Sequence, residues 1–375
     1  ISQSSELTVN TTCGSLIGRE FKSRNGRTVA AFNGIPFAKP PLNELRFQDP
    51  QPPEQWIGVR EAYNLGSVCV QKPYDYPLIN TTEYGNEDCL YLSVYSPNFL
   101  YIHGGPFYLG SGEIDKSPEY VLDYDLVVVM PNYRLGVLGF LTLEDDIMPG
   151  NSGLKDQVMA LKWVQDNIAN FGGDSNQITL IGDFAGAASV FQVDPLTVFL
   201  PICDRNAANP FLPFNPHNAE PAPVPWIVGL PSLVDFLRTG LFVREPETLI
   251  EFNQQFDKIA PISLYYDNTA TNPEKVTKEI REFYFDGQPI TMELFRNLTE
   301  MYSDRMFIWP AVEALRVHKG PHYFYYFEYV GEYTFQDIFA GKRVLVETRL
   351  RQDSISNGLN GTMNNKTSSV LENAD

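Results

Sequence analysis

The stretch that constrains this chain most is "QITLIGDFAGAASV", residues 177–190. A short apolar strand pattern runs straight into Gly182-Asp183-Phe184-Ala185-Gly186, and small residues follow. A strand pattern broken at glycine and followed by small residues predicts a tight turn leading into a helix. Ala185, Ala187 and Ala188 suit close packing of the helix on the sheet. Upstream, "GLKDQVMALKWVQDNIANFGGD" carries Leu154, Val158, Leu161, Val164 and Ile168 at helical spacing and ends at Gly172-Gly173. Before it, "YDLVVVMPNY" is a continuous β-branched run, the pattern of a strand buried on both faces. Strand, helix, strand, turn, helix predicts an α/β fold with a mostly parallel central sheet and helices on both faces.

The N-terminal third, with "GSLIGRE" and "RTVAAFNGIPFA", alternates and breaks at Gly and Pro, which predicts hairpins. "CLYLSVYSP" places Leu90, Leu92 and Val94 on one face of a strand. Later, "RMFIWPAVEALRVH" is helical apart from Pro310, and "HYFYYFEYV" is a strand dense in rings. Residues 351–375 are polar and aperiodic and read as a mobile tail.

At 375 residues and 43% hydrophobic, the chain can bury a large core. Its net charge of −18 repels phosphate backbones and excludes nucleic acid as a partner. The apolar run "LVVVM" is far too short to span a bilayer, and no membrane anchor or leader is visible. This reads as a mature secreted chain or an ectodomain. Cys13, Cys69, Cys89 and Cys203 form no C-x-x-C pair, so neither a metal site nor a cofactor is expected. Cys69 and Cys89 flank a polar, aromatic loop that a bridge would close. Sequons at Asn10, Asn80, Asn297, Asn360 and Asn365 predict the secretory route.

These blocks together resemble the type-B carboxylesterase and cholinesterase-like family of α/β-hydrolases, its insect members in particular. "FNGIPFAKPPLNELRFQDPQPPEQW", "EDCLYLSVYSP", "YIHGGPFYLGSG", "VVVMPNYRLGVLGFL" and the run from Gly150 through the bend carry the resemblance, with "MFIWPAVEAL" and "YFYYFEYVGEYTFQDIFAG" later on. The resemblance implies one carboxylesterase-like domain over 1–375 and a Cys69–Cys89 disulfide. It also implies an elbow between strand and helix that holds Phe184 at positive φ, with Gly182 and Gly186 where a side chain would meet neighbouring backbone, and an oxyanion loop in which the backbone amides of Gly104, Gly105 and Ala185 face a tetrahedral intermediate. The chain is shorter than the family pattern, with abrupt junctions near residues 98 and 191 and after Gly341; of real deletions and segments omitted from this sequence, omitted segments are expected, because deleting core helices would expose large apolar area.

Acyl transfer on this fold needs a serine nucleophile, a histidine base and an orienting acid. Phe184 stands in the serine position and Val234 in the acid position, with Asp235 one residue off register. His103 belongs to the oxyanion loop, His318 and His322 read as surface or turn residues, and His217 has no partner, so no base is assigned. Ser189 lies too far along the helix to replace the nucleophile, and Asp183 is expected to point away from the reacting centre. The reading that follows is a catalytically inactive extracellular glycoprotein with an adhesion or recognition partner. The alternatives are a binder of an apolar ester or hormone, and a working carboxylic-ester hydrolase with an unusual nucleophile.

Overall fold

Short strands punctuated by Gly and Pro open the chain as hairpins, because tight turns can join only antiparallel neighbours. β1 (Thr8–Thr11) pairs antiparallel with β2 (Gly14–Ile17), and β3 (Arg19–Lys22) pairs antiparallel with β4 (Thr28–Pro36). β5 (Val59–Glu61) joins β2 in parallel to complete a three-stranded sheet. The larger sheet adds β6 (Tyr91–Tyr95), β7 (Leu100–Ile102), β8 (Val128–Pro131) and β9 (Leu180–Gly182) in the order β3-β4-β6-β8-β7-β9. Its elbow side, β8-β7-β9, is parallel, and the side built from the early strands is antiparallel. The helices of this region are α1 (Gly136–Phe140), α2 (Ser152–Asn167) and α3 (Ala185–Phe191). The computed structural model describes residues 7–72, 83–96, 100–112, 117–191, 201–213, 222–231 and 236–327.

The centre of the larger sheet is buried on both faces, while its outer strands β3 and β9 are largely exposed. Leu92, Val94, Leu100 and Val129 pack with Leu154, Trp163, Val164 and Phe171 from the α2 region. Val29, Ala31, Tyr95, Val128 and Met130 form a second cluster with Leu122. α2 runs on through a tight turn at Ile168–Phe171 and stops at Gly172, whose φ of 87° is the left-handed stop that the sequence predicts. Val158 departs from the predicted stripe and is exposed. The helix instead turns Asp156 inward.

Asp156 is fully buried against Arg134, just after β8. The Arg134 Nε and Nη2 donate to the two carboxylate oxygens at 2.8 Å each, the Arg134 amide donates at 3.0 Å, and Nη1 donates to the Gln48 carbonyl at 2.9 Å. A pair this well satisfied is tolerated in the core, whereas either half alone is not. Asp156→Ala is expected to destabilise the protein by about 3–5 kcal/mol. A urea midpoint comparison checks it, and Arg134→Met combined with Asp156→Leu should recover most of the loss.

The sequence reading treats 1–375 as one domain; packing divides the chain into two compact units, Ile1–Ala219 and Glu220–Asp375. The strands and helices above belong to the first. The second contains β10 (Trp226–Pro231), α4 (Phe236–Arg244), α5 (Pro246–Gln254), α6 (Phe256–Ser263), α7 (Pro273–Phe285), α8 (Phe295–Ser303), α9 (Trp309–Val317) and β11 (His322–Phe327). Its core is ring-rich, with Phe252, Phe256, Tyr284, Phe285 and Tyr302 around Leu298. Pro310 does not break the helix. A π-helical turn at Asp304–Ile308 precedes it, and Pro310 sits in the first turn of α9, where no amide is required. β10 and β11 pair in parallel, Trp226 opposite His322, and Tyr323 to Phe327 are exposed.

Asp304, at the start of the π-turn, accepts from the Tyr284 hydroxyl at 2.7 Å. Burial raises its carboxyl to about 6. The folded state therefore holds this proton at pH values where the unfolded chain has released it. Stability is present in full below the ordinary carboxylate value of about 4 and declines as pH rises toward 6. Thermal melts at pH 4 and 7 should show Asp304→Asn removing that decline.

Candidate active site

The site is an elbow and a loop pressed together. Phe184 sits between β9 and α3 with φ 53°, the left-handed bend expected of this position. A Cβ on Gly182 would lie 2.2 Å from the carbonyl carbon of Gly186, and one on Gly186 would lie 2.2 Å from the Ile102 carbonyl oxygen. Both glycines are thus demanded by backbone contact. The Gly186 amide donates to the Asp183 carbonyl at 2.9 Å, and the Ala188 amide donates to the Phe184 carbonyl at 2.8 Å. The Phe184 ring is half-buried against the core of the first unit.

The loop after β7 is fixed from three directions. The His103 ring is buried, stacks on Tyr133 at 4.2 Å and has Nδ1 2.9 Å from the Gly104 carbonyl, while the Tyr133 hydroxyl donates to the His103 carbonyl at 3.1 Å. His103 is structural, as its place in the loop predicts. Gly105 takes φ 101°, and a Cβ there would meet the Leu109 carbonyl oxygen at 2.1 Å. At the far end, Gln71 clasps Gly110, donating to its carbonyl and accepting from its amide at 2.9 Å each. Gln71 is itself held by the loop that the Cys69–Cys89 disulfide closes, with Cα atoms 4.9 Å apart. Cys13 and Cys203 are free thiols.

Elbow and loop touch at Gly104, where a Cβ would lie 2.7 Å from the Asp183 carbonyl oxygen and 3.0 Å from Asp183 Oδ2. Gly104 is therefore brought against the elbow, with Gly105 beside it in the loop and Ala185 two residues beyond Asp183. The Gly104 amide is already engaged by the Tyr101 hydroxyl, however, and Pro106 has no N–H to add. Tyr101 donates in turn to Asp183 Oδ1 at 2.5 Å. Contrary to expectation, Asp183 is turned toward the loop, because this tyrosine reaches across from the neighbouring strand. Burial, and then the Asp183 carboxylate, push the Tyr101 and Tyr133 hydroxyls far above their ordinary range, so both stay protonated.

The remaining candidates fall elsewhere. Ser189 accepts from Gln157 Nε2 at 3.0 Å. His318 belongs to the second unit and, against the surface reading, is buried. Its ring stacks on Trp226 at 3.6 Å, with Nε2 2.9 Å from the Val224 carbonyl. His322 is exposed on β11. Val234, Asp235, His217, Asn80, Asn360, Asn365 and the 351–375 tail lie outside the described residues. Among the described residues no three His, Cys, Asp or Glu side chains converge as a metal site would require. Tyr101 and Gln71 were not singled out by sequence reasoning. The signal for Tyr101 was a hydroxyl in an otherwise apolar strand; Gln71 gives none.

The profile of the family described as "Carboxylesterase family" matches residues 5–193 and 191–356. The chain belongs to the carboxylesterase family. It is 33% identical to a juvenile hormone esterase of Tribolium castaneum, over 88% of this chain and 74% of that protein. It is 30% identical to esterase FE4 of Myzus persicae, over 96% of this chain and 78% of that protein. Among solved structures, juvenile hormone esterase from Manduca sexta, with OTFP covalently attached, superposes with a TM-score of 0.76 at 25% identity, covering 90% of this chain and 81% of the other. The α/β-hydrolase fold is thereby established. These relatives also correct one expectation. The inactive adhesion module inferred from Phe184 is overturned, because the relatives that match nearly the whole chain are named as esterases.

The contact between Gly186 and Ile102 gives a direct test of the elbow. Gly186→Ala is expected to lose about 3 kcal/mol of stability, because backbone must move to admit the methyl group. Chemical denaturation checks it, with Ala187→Gly, on the same helix, as the milder comparison.

Proposed function

We propose that this chain hydrolyses carboxylic esters, with water as the attacking group in place of a side chain at position 184. The observation that carries the reading is the close apposition of Gly104 and Asp183, which sets an intact loop against an intact elbow. The amides of Gly105 and Ala185 serve there as oxyanion donors. Backbone donors do not depend on the side chain at the elbow, so transition-state stabilisation outlives the loss of the serine. In serine hydrolases stripped of triad members, donors and binding alone sustain about 10³–10⁴-fold acceleration over water. The relatives named as esterases support the substrate class.

Purified protein is expected to release aryl alcohol from a short-chain aryl ester slowly but above buffer. That rate should be insensitive to an organophosphate, since residue 184 offers no oxygen to phosphorylate. Saturable ester binding without any turnover would overturn the reading in favour of a binding protein.

The protein acts outside the cell in this account. The Cys69–Cys89 bridge supports that placement, since such bonds persist in oxidising compartments. So does the sequon at Asn10, exposed on β1. The Asn297 sequon is unsuited to a glycan, because Asn297 Nδ2 donates to the Tyr284 carbonyl at 2.9 Å and Thr299 is buried. Peptide mass spectrometry of secreted protein should find glycan at Asn10 and an unmodified Asn297.

A further inference from the structure

Water is a poor nucleophile unless a base takes its proton as it attacks. The elbow places one carboxylate beside the loop. β7 and β9 are parallel neighbours with Tyr101 opposite Ile181, so the tyrosine ring reaches the residue that follows β9. Its hydroxyl donates to Asp183 Oδ1 at 2.5 Å and accepts from the Gly104 amide. Asp183 Oδ2 lies on the Gly104 side, 3.0 Å from where a Cβ on that glycine would stand. The carboxylate is half-buried and immediately precedes the residue that replaces the nucleophile. The titratable groups around it are Tyr101 from β7 and Tyr133 from the turn after β8, with the His103 ring stacked on Tyr133.

We infer that Asp183 is the general base of this site and that Tyr101 is the positioning residue that fixes its carboxylate beside the oxyanion loop; the inference rests on the ester hydrolysis proposed above. A water O–H bond breaks, and its proton passes to Asp183 Oδ2. The water oxygen bonds to the ester carbonyl carbon, and the carbonyl π electrons move onto the oxygen facing the Gly105 and Ala185 amides. Collapse of this intermediate breaks the ester C–O bond. The leaving alkoxide takes the proton from Asp183, so ester and water give acid and alcohol with the carboxylate regenerated. Tyr101 cannot substitute as base, because its oxygen carries its own proton and donates it to Oδ1.

The test is steady-state hydrolysis of an aryl acetate across pH by the wild-type chain, Asp183→Asn, Asp183→Glu and Tyr101→Phe. Asp183→Asn should lower kcat by about 100-fold or more with KM changed by less than about threefold, and lose the acidic limb of the pH profile. Asp183→Glu should restore that limb in part. Tyr101→Phe should keep KM and lower kcat, because the carboxylate loses the hydroxyl that orients it. An active wild type with an equally active Asp183→Asn overturns this assignment alone, whereas an inactive wild type overturns the hydrolysis itself. If Asp183→Asn does not fold, a Tyr101→Phe profile that superposes on wild type is enough to reject the inference.

Discussion

The structure of the site depends on one close approach, that of the Gly186 backbone to the carbonyl oxygen of Ile102. A Cβ at Gly186 would stand 2.2 Å from that oxygen. Only because both elbow glycines lack side chains can α3 start directly over the end of β7. That proximity brings Ala185 and Asp183 alongside the loop from His103 to Gly110. It also holds Phe184 in the left-handed region, at a cost of about 1–2 kcal/mol for a residue with a Cβ. The surrounding structure enforces this bend whatever side chain occupies it, so the elbow persists although the nucleophile does not.

The loop on the other side of the contact is braced from a distance. Gln71 joins Gly110 to the disulfide-closed loop, and Arg46 clamps Glu87 beside the same bridge with two bonds of 2.6 and 2.7 Å. Farther back, Arg134 and Asp156 tie the end of β8 to α2, and Tyr133, one residue earlier, seats the His103 ring. The covalent bridge, the buried ion pair and the stacked rings converge on the geometry of two backbone amides. Such preorganisation is the feature that catalysis by oxyanion stabilisation requires.

Much of this was legible in the sequence, for reasons that differ by residue. Gly182 and Gly186 announced the elbow because backbone crowding leaves a compositional mark that no other residue can supply. The β8 run and the α2 spacing announced buried elements because hydrophobic periodicity is local. Val158 was misjudged because the rotation of α2 is set by the distant partner of Asp156, which periodicity does not encode. His318 looked like a turn residue; its burial depends on Trp226, which is remote in sequence. The orientation of Asp183 was missed for the same reason, since a tyrosine on a neighbouring strand turns it. Phe184 misled most. It bears on one atom of the chemistry, while the fold positions the backbone of the whole site.

The central claim is that ester cleavage here proceeds without a covalent acyl-enzyme. Rapid-quench intact mass spectrometry during turnover of an aryl ester tests it most directly. The account predicts unmodified protein at every time point while carboxylic acid accumulates. An acylated species that forms and decays at the rate of product release would contradict it.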